Sequence, residues 1–160
     1  GGMMRDATLP PAVPQALAAA LASVLARQRL ALDARGIRVE TQLAAATLRA
    51  DRNQLETVLD NLLSNAIKFS PEGGRILVKS APAGEAVAIW VCDQGDGIPQ
   101  AERPRVFEPF FQGARQPAST IKGSGLGLSI VREYLLAAGG GIEVIDCPPW
   151  STCFKLTWPA

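Results

Sequence analysis

No histidine occurs anywhere in the 160 residues. That absence removes imidazole general bases, histidine metal ligands and any phosphohistidine carried on this chain. Aromatic residues are few, at 6%, and Lys+Arg number 16 against 15 Asp+Glu. Neither the basic field nor the stacking surface that a nucleic-acid partner requires is present. The three cysteines, Cys92, Cys147 and Cys153, form no CxxC or other paired metal spacing. Cys92 lies in an apolar run and reads as a small buried hydrophobe. Cys147 and Cys153 are near enough in sequence for a disulfide, yet an odd count without a secretion signal favours reduced thiols. A long lipid-soluble run is also missing. The nearly uncharged stretch from Leu9 to Ala26 is alanine-rich and holds Pro10, Pro11, Pro14, Gln15 and Ser23. It fits an amphipathic helix better than a membrane span.

What is present describes one globular domain. Apolar residues make up 48% and charged residues 19%, and a chain of this length buries roughly 70% of its unfolded surface. Gly1-Gly2-Met3-Met4 has the look of a cloning remnant. Residues 1–9 are therefore read as linker and 10–160 as the domain.

Periodicity supplies the elements. Leu17, Leu21, Val24, Leu25 and Leu32 predict a helix ending at Gly36, and Ile37, Val39 and Thr41 alternate as a strand. A short strand over 47–50 leads to Asp51, an N-cap with Gln54 three residues on. The next helix buries Leu55, Val58, Leu59, Leu62, Leu63 and Ala66 and stops near Ser70-Pro71. A hairpin of strands 75–80 and 85–92 follows. Residues 93–125 are mostly loop, with a helical turn within 99–107, and a loop this long is often a lid or binding loop. A helix over 126–138, closed by Gly139-Gly140-Gly141, precedes strands 142–145 and 153–157. Helices and strands without regular βαβ alternation predict an α+β two-layer sandwich, a mixed sheet with helices on one face.

Four segments could carry chemistry. Asn61, Asn65 and Lys68 share one rim of the central helix at i, i+4, i+7. An amide oxygen can ligate Mg²⁺ and an ammonium can neutralise phosphate, although a solvated helix face would look the same. Asp93-Gln94-Gly95-Asp96-Gly97-Ile98 follows an apolar strand, and its acid can accept a hydrogen bond from a ligand or simply edge a turn. Phe107-Glu108-Pro109-Phe110-Phe111 gathers three of the five phenylalanines, a local anchor or the hinge of a lid. Gly123-Ser124-Gly125-Leu126-Gly127-Leu128 opens a helix and can present N–H groups to phosphates. It matches neither a Walker A loop nor a dinucleotide fingerprint.

In this order, the four segments resemble the N, G1, F and G2 boxes of the catalytic domain of sensor histidine kinases. That family shares the Bergerat ATP-binding fold with gyrase, Hsp90 and MutL. The likeness spans about residues 12–158. It implies ATP as substrate and Mg²⁺ as cofactor: Asn65 on the metal, Asn61 near the metal and its waters, Lys68 on phosphate oxygens, and Phe69 against adenine. It further implies Asp93 as acceptor for the adenine amine, with Gly95, Gly97 and Ile98 lining the base. Phe110 would lie beside the lid, residues 112–124, where Arg115 and Lys122 are candidate phosphate contacts. Gly123, Ser124, Gly125, Leu126, Gly127 and Leu128 would bring a helix N-terminus to the phosphates.

ATPase relatives carry a glutamate one turn before the metal asparagine. Here Asn61 stands there and cannot act as a base, which favours transfer to a nucleophile supplied from elsewhere. The implied partners are the histidine-bearing dimerisation domain of a homodimeric parent and a response-regulator receiver domain. The implied location is the cytoplasmic side of an inner-membrane sensor, with no membrane contact by this domain. A serine kinase or ATPase of the same superfamily, or a non-catalytic nucleotide-binding regulatory module, are the alternatives. Two departures from the family pattern stand out: Gln112 where many relatives have arginine, and Cys147-Pro148-Pro149-Trp150 in place of a glycine-rich turn.

Overall fold

A computed structural model of the chain describes residues 13–111 and 127–160. The first element is a strand, β1 (Val13–Ala16), where the sequence reading expects helix. Pro14 explains the difference: it removes a donor, and among the described residues β1 pairs only with β3 (Thr47–Ala50), in a two-stranded antiparallel sheet where that loss is tolerated. The expected single helix is two, α1 (Leu17–Arg27) and α2 (Arg29–Ala34), broken at Gln28.

The central helix α3 (Arg52–Phe69) begins as its sequence foretells, with the Asp51 carboxylate accepting the Gln54 N–H at 3.0 Å. It buries Leu55, Val58, Leu59, Leu62, Leu63, Ala66 and Ile67. Each leucine so removed from water contributes about 1.5–3 kcal/mol. At its C-terminus the buried Arg35 donates to the Ile67 carbonyl and, at 2.7 Å, to that of Ser70, which satisfies carbonyls that the helix leaves unpaired.

The main sheet has five strands in the order β2 (Arg38–Gln42), β4 (Arg75–Ala83), β5 (Ala86–Asp93), β7 (Trp150–Pro159), β6 (Gly141–Cys147). The β2–β4 pair is parallel and the other three are antiparallel, so the sheet is mixed. One face carries Ile76, Val78, Ile89, Val91, Phe154, Leu156 and Trp158 into a single core with α1, α3 and α4 (Gly127–Ala137). This is the expected α+β two-layer sandwich.

Cys92 is fully buried, as read from sequence, but it is not simply a small hydrophobe. It is disulfide-bonded to Cys153, and Cys147 is free. The antiparallel register of β5 on β7 sets Cys92 directly opposite Cys153, a juxtaposition that a separation of 61 residues conceals. The expected reduced thiols and the weighed Cys147–Cys153 pairing are both corrected.

Candidate functional site

The site gathers where the C-terminal half of α3 meets the ends of β5 and β7 and the start of α4. Asn61 donates its amide N–H to the Thr57 carbonyl at 2.8 Å, so the acceptor oxygen is left to point elsewhere. That oxygen would sit 2.9 Å from any β-carbon placed on Gly127. The N-box rim and the first residue of α4 are thus in close approach, and a larger residue at 127 would have to displace the Asn61 side chain. One turn on, the Asn65 amide nitrogen is buried and has no hydrogen-bond partner among the described residues. An orphaned buried amide costs roughly 1–3 kcal/mol, which singles Asn65 out on this helix. Lys68 extends its ammonium over the Phe69 ring, 5.4 Å from the centroid.

Asp93 closes β5 at 1% exposure. Its carboxylate accepts the Gly95 N–H at 2.8 Å, which folds the chain back on itself after the strand. A side chain at Gly95 would meet the Phe69 carbonyl at 2.7 Å, so the turn rests directly on the end of α3. Gly97 adopts φ +81°, the left-handed region, and a β-carbon there would lie 3.1 Å from the Ser151 carbonyl. Ile98 is buried in the core. Arg103 then ties this segment down: it donates to the Ile98 carbonyl at 3.2 Å and to the Asp146 carboxylate at 2.7 Å. That hydrogen bond and the guanidinium charge hold the Asp146 carboxyl below its ordinary range.

The sequence reading passed over Thr152. It is the register partner of Asp93, is 1% exposed, and its hydroxyl has no hydrogen-bond partner among the described residues. The available signal was parity: Thr152 shares the inward face of β7 with Phe154, Leu156 and Trp158, where a polar residue is out of place.

The phenylalanine segment divides. Phe107 is the anchor, buried and edge-on to Phe154 at 6.1 Å between centroids. Phe110 remains 68% exposed with φ 62°, and among the described residues it is not drawn into the site. Leu128 packs against the core from the first turn of α4. Arg115, Lys122, Gly123, Ser124, Gly125, Leu126 and Gln112 lie outside the described residues.

Residues 50–160 match the family described as histidine kinase-, DNA gyrase B-, and HSP90-like ATPase. The chain is 38% identical over 144 residues to sensor histidine kinase GlrK of Escherichia coli, covering 90% of this chain and 30% of that protein. It is also 38% identical to the alginate biosynthesis sensor protein KinB of Pseudomonas aeruginosa, over 84% of this chain and 22% of that one. The chain therefore spans about a third or less of the length of these relatives. Among solved structures, the mycobacterial sensor histidine kinase MprB superposes with a TM-score of 0.81 at 31% identity, covering 92% of this chain and 97% of that one. The catalytic domain of histidine kinase ThkA gives 0.81 at 26% identity, over 94% and 96%. No helix among the described residues is long and apolar enough to cross a membrane. With the four boxes in order, an amide-lined helix rim and an acid at a strand end, the chain belongs to the histidine kinase-, gyrase B- and HSP90-like ATPase family, as a catalytic ATP-binding domain of the sensor histidine kinase kind.

Proposed function

We propose that the domain binds Mg·ATP and presents its γ-phosphoryl group to a histidine on a separate dimerisation domain of a homodimeric parent. The observation that carries this is the rim of α3, where Asn65 keeps a buried amide without a partner among the described residues, one turn from an Asn61 whose oxygen is turned toward α4. The donor set fits the implied ion: a half-turn of the Asn65 amide exchanges its nitrogen for an oxygen, and neutral oxygens beside phosphates are what Mg²⁺ takes. When bound, Mg²⁺ neutralises charge on the phosphate oxygens. Asn65 would hold it, with Asn61 beside it, and Lys68 would add a positive point charge. The buried Asp93 carboxylate and the orphaned Thr152 hydroxyl select the adenine edge, Phe69 packs against the base, and Gly95 and Gly97 keep the backbone close to it. The same reading assigns Arg115, Lys122 and Gly123 to Leu128 to the phosphates, of which only Gly127 and Leu128 fall among the described residues.

Catalysis here is positioning and charge neutralisation. An ATPase would need a carboxylate to activate water one turn before Asn65, and Asn61 occupies that place. The nucleophile is then the histidine of the partner domain, since this chain has none. The phosphoryl group passes on to an aspartate of a receiver domain; ThkA, a structural relative, has been solved in complex with the response regulator protein TrrA. The parent is a membrane-anchored sensor with this domain in the cytoplasm. Mixing the chain with the histidine-bearing helices of its parent and γ-labelled ATP tests the scheme: label is expected on the helices and none on this chain. Unlabelled helices alongside steady phosphate release would instead establish a hydrolase.

A further inference from the structure

Among the described residues, helices cover only one face of the five-stranded sheet. On the other, Leu77, Cys92, Cys153 and Ile145 are successive register partners across β4, β5, β7 and β6. They form a small apolar cluster of their own, against which Trp90, Cys147 and Trp150 pack. Cys92 and Cys153 have 0% exposure, while the free Cys147 is half-buried at the end of β6. All three sulfurs lie within 4.8 Å of one another. Nothing in the nucleotide site uses them, because they lie on the opposite face of the sheet from α3.

We propose that Cys92, Cys147 and Cys153 constitute a three-thiolate site for a single thiophilic cation of the Zn²⁺ class, made available when a dithiol or phosphine reductant opens the Cys92–Cys153 bond. The reductant supplies two electrons, and two protons go to the two sulfurs. Binding of the divalent ion then displaces one proton from each of the three thiols and leaves a complex of charge −1.

Three features of the cluster suit it to this task. Zn–S bonds of about 2.3 Å place tetrahedral sulfurs about 3.8 Å apart, so once reduction lets the bonded Cys92 and Cys153 sulfurs separate to that spacing, Cys147, within 4.8 Å of both, is near enough to join them. Soft thiolates in an apolar shell favour thiophilic cations over Mg²⁺. The surroundings also oppose the charge of the complex. Arg75 lies 5.6 Å from the Trp150 ring, and Lys79 and Lys155 lie 4.9 Å and 5.6 Å from that of Trp90. Arg38, the register partner of Arg75, is on the same face. Against these cations stand Glu40, which pairs with Arg75, and Glu143, the register partner of Lys155. Positive charge is thus in surplus around an anionic complex. With no histidine in the chain and Cys147 on the exposed side, water completes the fourth position. The Cys147-Pro148-Pro149-Trp150 turn, which departs from the family's glycine-rich one, brings both the third sulfur and a shielding indole to the cluster.

The test uses the full 160-residue chain, reduced with a phosphine under argon, freed of reductant and titrated with Co²⁺ or Cd²⁺ before displacement by Zn²⁺. Thiolate-to-metal charge-transfer absorbance is expected to saturate at one ion per chain, with about three protons released per ion. The unreduced chain should give none of it. Cys147→Ser should weaken binding about tenfold or more while ATP affinity is kept. Absence of the band after reduction, loss of the sheet's circular dichroism on reduction, or equal binding by Cys147→Ser each overturns the proposal. If that variant does not fold, proton release by the unaltered chain decides, and two protons or fewer count against a third thiolate.

Discussion

Glu56 and Asn65 lie on the same helix about two and a half turns apart, and their surroundings answer burial in opposite ways. Glu56, at 9% exposure, is gripped by Arg27 from α1 and Arg52 from its own helix. Nearby, Gln28 donates to Asp60 at 2.9 Å. Among the described residues, no buried side-chain polar atom at that end lacks a partner. At the other end the Asn65 amide has none among the described residues, and the Thr152 hydroxyl shares that condition beside Asp93. A folded chain tolerates an unsatisfied buried group at a cost, and function is the usual reason. One half of α3 is tied into the fold by ion pairs and hydrogen bonds; the other keeps a buried amide without a partner among the described residues.

The largest effect that would break this contrast is at Asn65. Asn65→Ala should reduce Mg·ATP affinity about a hundredfold or more, measured by calorimetry, with a melting temperature close to that of the unaltered chain because no internal hydrogen bond is lost. Unchanged affinity would remove the metal role. Next comes Asp93→Asn, which should narrow the preference for ATP over GTP by about 1–3 kcal/mol. If neither affinity moves, the base contact lies elsewhere. The reverse pattern is expected at the closed end. Glu56→Ala should cost about 1–2 kcal/mol in urea denaturation, a figure reduced for the solvent exposure of both arginines, and should leave nucleotide affinity nearly intact.

The smallest effect concerns Asp146, whose carboxyl is held low by the Arg103 hydrogen bond and charge. A lowered folded pKa means that the unfolded chain binds the proton first. The contribution is therefore present above the ordinary carboxylate value and lost as pH falls through the lowered one. Asp146→Asn should melt slightly earlier at neutral pH and match the unaltered chain in acid. A gap that persists in acid would remove the ion pair as its cause.

How much of this could be read beforehand differs by element. The face of α3, its Asp51 cap and the order of the four boxes were legible, because 3.6-residue periodicity and capping act over a few residues. β1 was misread, since an alanine-rich segment scores as helix until Pro14 and a pairing partner are weighed together. Asn61, Asn65 and Asp93 were picked out by residue type and spacing. Thr152 was not, because its importance depends on standing opposite Asp93 across two antiparallel strands. Phe107 and Phe110 were indistinguishable in the sequence, yet one is buried against Phe154 and the other exposed.

From its residues alone, this chain determined an α+β sandwich, an amide-bearing central helix and a family of nucleotide-binding domains, all encoded in short-range pattern. Only the folded arrangement decided that Cys92 bonds Cys153, that the Asn61 oxygen crowds Gly127, and that Thr152 lies beside Asp93. Those facts follow from strand register and helix docking, which are set by how distant apolar faces pack together rather than by any local stretch of sequence.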